Sequence, residues 1–210
     1  QPQLRALSLD IETSFARLNQ PDHLYSVGLY ADDYELVLMV GTAEHSDGIE
    51  YHPDEASLLV ALLAKLIAYD PDVIMGWNIV QFDIQFLVKK YREHGLKFNL
   101  GRDGSALTHR YDNRHPEIMY VYVAGRVILD GIGLLRSAAY SFESFSLNNV
   151  AQHFLGEQKL ISGDQRGEDI EYLFQHDKPA LAAYNLKDSE LVWRIFSVAH
   201  LLEFAIERSS

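Results

Sequence analysis

The sequence contains no cysteine. That excludes a disulfide framework and any thiolate zinc site. No apolar run approaches the roughly 18 residues of a membrane-spanning helix. No charged-then-apolar leader precedes the first apolar stretch, so neither a span nor a signal peptide is expected, and a cytoplasmic setting fits. The nine histidines fall at no HExxH or other paired-ligand spacing. There is no GxSxG elbow and no phosphate-cradling GxxxxGK loop, which removes the common serine-hydrolase and nucleotide-triphosphatase readings. Internal repeats and low-complexity segments are also missing.

Positive charge is scarce: 18 Lys and Arg stand against 30 Asp and Glu, a formal net charge of −12. Taken over the whole chain, this argues against passive binding to phosphate backbones. Its distribution is uneven. From Lys89 to Arg126 there are eight basic residues (Lys89, Lys90, Arg92, Lys97, Arg102, Arg110, Arg114, Arg126) against four acidic ones, so this stretch is +4 and the remainder −16. It reads either as an ordinary solvated face or as a phosphate-contacting strip. What is present in quantity is core material: 48% hydrophobic and 11% aromatic residues in a chain of 210, enough for one substantial core. The expectation is a single domain over 1–210. Because residue 1 is Gln1 rather than Met, it reads as a processed chain or a piece of a longer one.

Along the chain, Leu4 to Ile11 reads as a strand that emerges at Glu12. The polar stretch Ser14 to His23 reads as a loop. Leu24 to Tyr30 and Glu35 to Val40, joined by a turn at 31–34, are two further strands that complete a three-stranded antiparallel unit. Gly41 to Asp54 reads as an acidic connection. Leu58, Leu59, Leu62, Leu63, Leu66 and Ile67 recur at helical spacing, which predicts a helix over 55–69 stopped by Asp70-Pro71. Val73 to Gly76 is then a buried strand, and the order strand, helix, strand implies a parallel pair in an α/β sheet. A helix is predicted over 80–94, an irregular basic segment over 95–116, and a hairpin pairing Met119–Val123 with Arg126–Leu129. Helices are predicted over 132–140 and 146–155, a polar loop over 162–168, and a long last helix from Pro179 to about Phe204, capped by Asp177.

Carboxylates gather where strands end. Asp10 and Glu12 are two apart on a strand and so share a face. Like charges about 4 Å apart repel by roughly 4 kcal/mol at an effective dielectric near 20, a cost that a cation between them removes. An exposed acidic strand end would also account for the pair. Asp83 opens the helix that follows a strand, the position where ligands collect in α/β sheets, although complementing the helix dipole is an alternative role. Asn78 ends that strand, and a turn role suffices for it. Asp130 is another strand-end carboxylate, ranked below the others because a turn role suffices there too. Tyr184 and Asp188 are four apart, hence on one helix face. Core packing for the ring and solvation for the carboxylate are the plain readings of these two.

In order, the three motifs Asp10-Ile11-Glu12, Asn78-x-x-x-Phe82-Asp83 and Tyr184-x-x-x-Asp188 resemble those of the DEDD exonuclease superfamily. The tyrosine four residues before Asp188 is similar to its tyrosine branch; position 183, where the other branch has histidine, is Ala183. The stretches YDPDVIMGWNIVQFD, GRVILDGI, SFSLNNVAQHFLGE and DKPALAAYNLKDSELV are similar to the proofreading domain of family B DNA polymerases, above all the bacterial ones. The resemblance runs from Leu4 to Leu202. It implies an α/β, RNase H-like fold: a mixed five-stranded sheet flanked by helices, with an extra β-hairpin. It also implies two divalent cations, Mg2+ or Mn2+, which the hard oxygen ligands suggest independently. The implied reaction is removal of nucleotides from a DNA 3′ end. Carried over by position, Asp10 would bridge both ions, Glu12 and Asp188 would complete the tighter site, and Asp83 would hold the second ion through water. Tyr184 would hydrogen-bond the attacking water, while Thr13, Asn78 and Phe82 would contact the substrate. The implied partners are a single-stranded or frayed DNA 3′ end and the rest of a polymerase chain, with no membrane. The chain departs from the family in two ways: it reaches Ser210 without a polymerase motif, and its 14–23 segment is longer than expected. Phe15, Tyr111 and Tyr120 could stack on bases or simply pack. An inert docking module of the polymerase and an exoribonuclease on the same fold are the alternatives.

Overall fold

Alternation along β1 (Ala6–Thr13) divides the molecule into two faces. Leu7, Leu9 and Ile11 enter one core cluster, while Asp10 meets the opposite side through a hydrogen bond with Asn185. The computed structural model describes residues 3–15, 17–157 and 166–210. β1 pairs antiparallel with β2 (Leu24–Ala31) and parallel with β5 (Val73–Gly76), so it lies inside a sheet whose order is β4-β3-β2-β1-β5-β8. β3 (Tyr34–Val40) runs antiparallel to β2; β4 (Ile49–His52) and β8 (Val127–Asp130) each join in parallel at an edge. Burial on both faces explains the near-continuous apolar runs of β2 and β5.

Helices cover both faces. On the first, α1 (Glu55–Tyr69) and α2 (Gln85–Glu93) bury Leu58, Leu62, Leu87 and Tyr91 against the odd-numbered residues of β1. Asp54 caps α1 by accepting from the Ser57 N–H at 2.8 Å, and Asp70 closes it in the left-handed region at φ 56 before Pro71. On the second face lie α3 (Gly131–Ser137), α4 (Leu147–Leu155), α5 (Arg166–His176), α6 (Lys178–Val198) and α7 (Leu201–Arg208). Leu191, Val192, Ile195 and Phe196 of α6 pack with Val73 and Met75 there. None of the helices among the described residues is long and apolar enough to cross a membrane.

Several expectations need correction. The sheet has six strands rather than five, because the connection over 41–54 contains β4, whose only apolar residues are Ile49 and Tyr51, too few to show a period. The hairpin pairs β6 (Thr108–Tyr111), inside the segment read as irregular, with β7 (Met119–Tyr122). Val127–Asp130 instead enters the main sheet. Its start is fixed beside β5 by Arg126, which donates to Asp70 Oδ1, to the Pro71 carbonyl and to the Leu100 carbonyl. The helix predicted over 80–94 begins as a π-helical turn, Ile79–Ile84, before α2. The helix predicted over 132–140 ends at Ser137. Of the loop predicted over 162–168, residues 162–165 lie outside the described residues, and Arg166 onward is α5. The long last helix breaks at His200, which adopts φ 52 and separates α6 from α7.

Four of the eight basic residues of the 89–126 stretch are engaged with carboxylates. Arg102 and Arg126 pair with Asp70, Arg102 also with Asp72, Lys89 with Asp22, and Lys90 with Glu55 and Glu93.

One close approach sets the second face. A Cβ on Gly28 of β2 would fall 2.9 Å from Asn185 Nδ2 and 3.0 Å from the Asn185 carbonyl oxygen. Only glycine lets α6 come this near. Gly28→Ala is expected to destabilise the fold by about 1–3 kcal/mol, the range for overpacking. Urea unfolding checks this as a lowered midpoint at unchanged m-value.

Candidate active site

α6 lies across β1 and β2 and is fastened there by polar contacts. The Asn185 amide donates to Asp10 Oδ2 at 2.8 Å and to the Asp10 carbonyl at 3.1 Å. Its Oδ1 accepts from Ser26 Oγ at 2.7 Å, and Ser189 Oγ donates to the Gly28 carbonyl at 2.8 Å. Asp188 is three residues beyond Asn185, nearly one helical turn, and so arrives at the end of β1. Carboxylate oxygens of Asp10, Glu12 and Asp188 all lie within 4.8 Å of one another. Glu12 and Asp188 are buried, and Asp10 is partly so.

Asp83 stands outside that trio. It sits in the π-helical turn, and its Oδ2 accepts from the Ile11 N–H at 3.2 Å. Burial, then the Asp10 charge, push its carboxyl well above the ordinary carboxylate range. π-Helical turns recur at functional sites. This one starts at Asn78, held in the left-handed region at φ 55, whose N–H donates to Asp130 Oδ1 at 3.1 Å. Asp130 thus braces the turn that carries Phe82 and Asp83, and burial raises its own pKa. Asp10, Asn78, Phe82, Asp83 and Asp188 line one cleft of about 820 Å³. Phe82 is 47% exposed there. Thr13 and Tyr184 do not line it. The Thr13 hydroxyl donates to the Ser14 carbonyl at 3.2 Å, just past a register shift between Glu12 and Thr13, where Thr13 pairs with Leu24 of β2. Tyr184 is buried in the core cluster with Tyr25 and Ile170, and burial, then Asp188 and Glu12, raise its phenol far above the ordinary value.

Three positions at the site were not singled out from the sequence. Asn185 is a polar residue on a helical face beside Tyr184, and that placement alone could have marked it. Arg166, at the start of α5, brings its guanidinium 3.8 Å from Glu12 and 3.9 Å from Asp188, and 5.8 Å from the Tyr184 ring centroid. Burial works against its charge, yet Glu12, Tyr184 and Asp188 hold its pKa above the ordinary guanidinium value. Arg136 also lines the cleft. Neither arginine belongs to a motif.

The profile described as DNA polymerase family B, exonuclease domain, matches residues 1–150. The chain is 41% identical over its whole length to DNA polymerase II of Escherichia coli. The chain belongs to the exonuclease domains of family B DNA polymerases. Within this family it is also 33% identical to the DNA polymerase delta catalytic subunit of Dictyostelium discoideum over 72% of the chain. To that of Glycine max it is 30% identical over 91%. It spans 27% of the E. coli relative and 14% and 20% of the other two. An α/β architecture with a mixed six-stranded sheet and an added hairpin agrees with the RNase H-like exonuclease fold.

The donor set suits hard divalent cations: three carboxylates converge from two elements, with no sulfur or imidazole among them. Such a site should be visible in pH dependence. A carboxyl whose folded-state pKa is raised binds its proton more tightly when folded, so its stabilising effect is present at low pH and lost as pH rises through the folded value. In chelator, the unfolding free energy is therefore expected to fall as pH rises from about 4, the ordinary carboxyl value. Asp83→Asn should flatten that fall in urea titrations at several pH values, and added manganese should oppose it in the unsubstituted domain.

Proposed function

We propose that this domain is a two-cation 3′-5′ exodeoxyribonuclease that removes nucleotides from single-stranded or frayed DNA 3′ ends, as the proofreading part of a longer DNA polymerase II chain. The observation that carries this reading is the convergence of Asp10, Glu12 and Asp188 within 4.8 Å, with Tyr184 one turn before Asp188. Asp10 would face both cations, Glu12 and Asp188 would complete one site, and Asp83 would serve the other through water. Two divalent cations, magnesium or manganese, supply charge for the attacking and leaving oxygens of an in-line displacement at phosphorus.

The chain's own residues do the rest. Tyr184, its pKa raised by burial and by Asp188, cannot serve as a base near neutral pH. From beneath Asp188 its hydroxyl would hydrogen-bond the attacking water and fix its direction, which requires that water to reach a ring that is buried and does not line the cleft. Asn185 holds the Asp10 carboxylate in one orientation through the 2.8 Å bond. Phe82, exposed in the cleft, offers a ring for a base to stack on, and Asn78 shapes the turn beneath it. Thr13, beside Glu12 at the register shift of β1, would contact the substrate from outside the cleft proper. Arg166 lies against Glu12 and Asp188, where it offsets their repulsion.

The test is hydrolysis of a 3′-labelled single strand by the domain with magnesium or manganese. Stepwise 3′ release is expected, abolished by Asp10→Ala together with cation-induced protection from unfolding. Tyr184→Phe should keep that protection and slow release at least tenfold. Equal loss of protection in both variants would contradict the assigned roles, and an RNA strand cut as fast as DNA would contradict the substrate.

A further inference from the structure

The floor of the cleft carries Asp10, Asp83 and Asp188, so an incoming strand needs positive charge on the walls as well as cations below. The 89–126 stretch does not provide it in full, since Arg102, Arg126, Lys89 and Lys90 are engaged with carboxylates. Arg136 differs. It belongs to α3, is exposed, and lines the same cleft as Asn78 and Phe82. Its guanidinium lies 4.7 Å from the centroid of the Phe145 ring. No carboxylate of the described residues is within 4.0 Å of it; Asp130 acts on it only at longer range.

Phe145 is itself fixed, because its carbonyl accepts the Trp77 Nε1–H at 2.8 Å. Both rings line the same cleft. A guanidinium stacked on a ring has one face covered and its N–H donors directed outward in its plane, the geometry that pairs with two oxygens of a phosphate. Stacking also removes part of the rotamer freedom that a lone surface arginine would lose on binding.

We infer that Arg136, oriented by Phe145, is a phosphate-binding subsite that receives a non-scissile backbone phosphate of the single strand. This rests on the nuclease reading given above. The pairing is charge-assisted and lies apart from the carboxylates that would hold the cations. Arg136 is thus a positioning residue for the strand, and its loss should show in binding whether or not hydrolysis occurs.

The experiment is fluorescence anisotropy of a labelled single-stranded DNA over a range of salt concentrations at fixed calcium. It compares the unsubstituted domain with Arg136→Ala, Arg136→Lys and Arg208→Ala. Arg208, at the end of α7, is exposed and outside the cleft and the basic 89–126 stretch, and its replacement removes the same formal charge. Each phosphate neutralised on a single strand adds about 0.7 to the magnitude of the log–log salt slope. Arg136→Ala is expected to reduce that magnitude by about 0.7, whereas Arg136→Lys should keep the slope with weaker binding, having charge without a planar guanidinium. Arg208→Ala should leave the slope unchanged. An unchanged slope in Arg136→Ala, or an equal drop in Arg208→Ala, overturns the subsite while leaving 3′ hydrolysis by the unsubstituted domain standing. Absence of both binding and hydrolysis in the unsubstituted domain overturns the nuclease reading and the subsite with it.

Discussion

The closest approach between helix and sheet, at Gly28, is the constraint from which the rest of the site follows. Because β2 has no side chain there, α6 settles onto the sheet with the Asn185 amide wedged between Asp10 and Ser26. That contact fixes the rotation of α6 about its axis as well as its height. Once the rotation is fixed, Asp188 must meet the end of β1, and Tyr184 must lie beneath it in the core. A helix held only by its apolar residues could slide or turn by a fraction of a residue at small cost. Two hydrogen bonds from one amide to Asp10 remove that freedom.

The same docking creates an electrostatic problem. Three carboxylates within 4.8 Å repel one another by several kcal/mol in a partly buried site. Relief comes in layers. Asn185 and the Ile11 N–H donate to Asp10 and Asp83. Arg166 stands just under 4 Å from Glu12 and Asp188. Asp83 meets its burial by favouring its neutral form. Under the proposed function an acidic chain would handle an acidic polymer through charge concentrated locally in cations and two cleft arginines while the overall balance stays negative.

Much of this was legible in the sequence. The alternation of Leu7, Leu9 and Ile11 gave the buried face of β1, and the leucine spacing and Asp70-Pro71 gave α1 with its end. Asp10, Glu12 and Asp83 were visible because strand ends and helix starts in an α/β sheet gather at one edge, whereas Asp188, inside the long α6, was marked by the resemblance of Tyr184-x-x-x-Asp188 to a superfamily motif. What could not be read has physical reasons. β4 and β6 are four residues each, too short to show a period, and their place depends on partners distant in the chain. β8 looked like half of a local hairpin because Gly125 permits a reversal, yet the ion pair between Arg126 and Asp70 assigns that strand to β5. The π-helical turn and the break at His200 follow from tertiary packing, which no single residue announces. Asn185, Arg166 and Arg136 belong to the site through three-dimensional placement alone.

Docking of α6 on β1 is proposed to build a site for two divalent cations, and counting bound manganese is the measurement to make. Electron paramagnetic resonance of free manganese in equilibrium with the domain should show two ions bound per chain. In Asp188→Asn the tighter of the two should be lost, with the fold intact by circular dichroism. No saturable binding, or a stoichiometry indifferent to Asp188, would contradict the account.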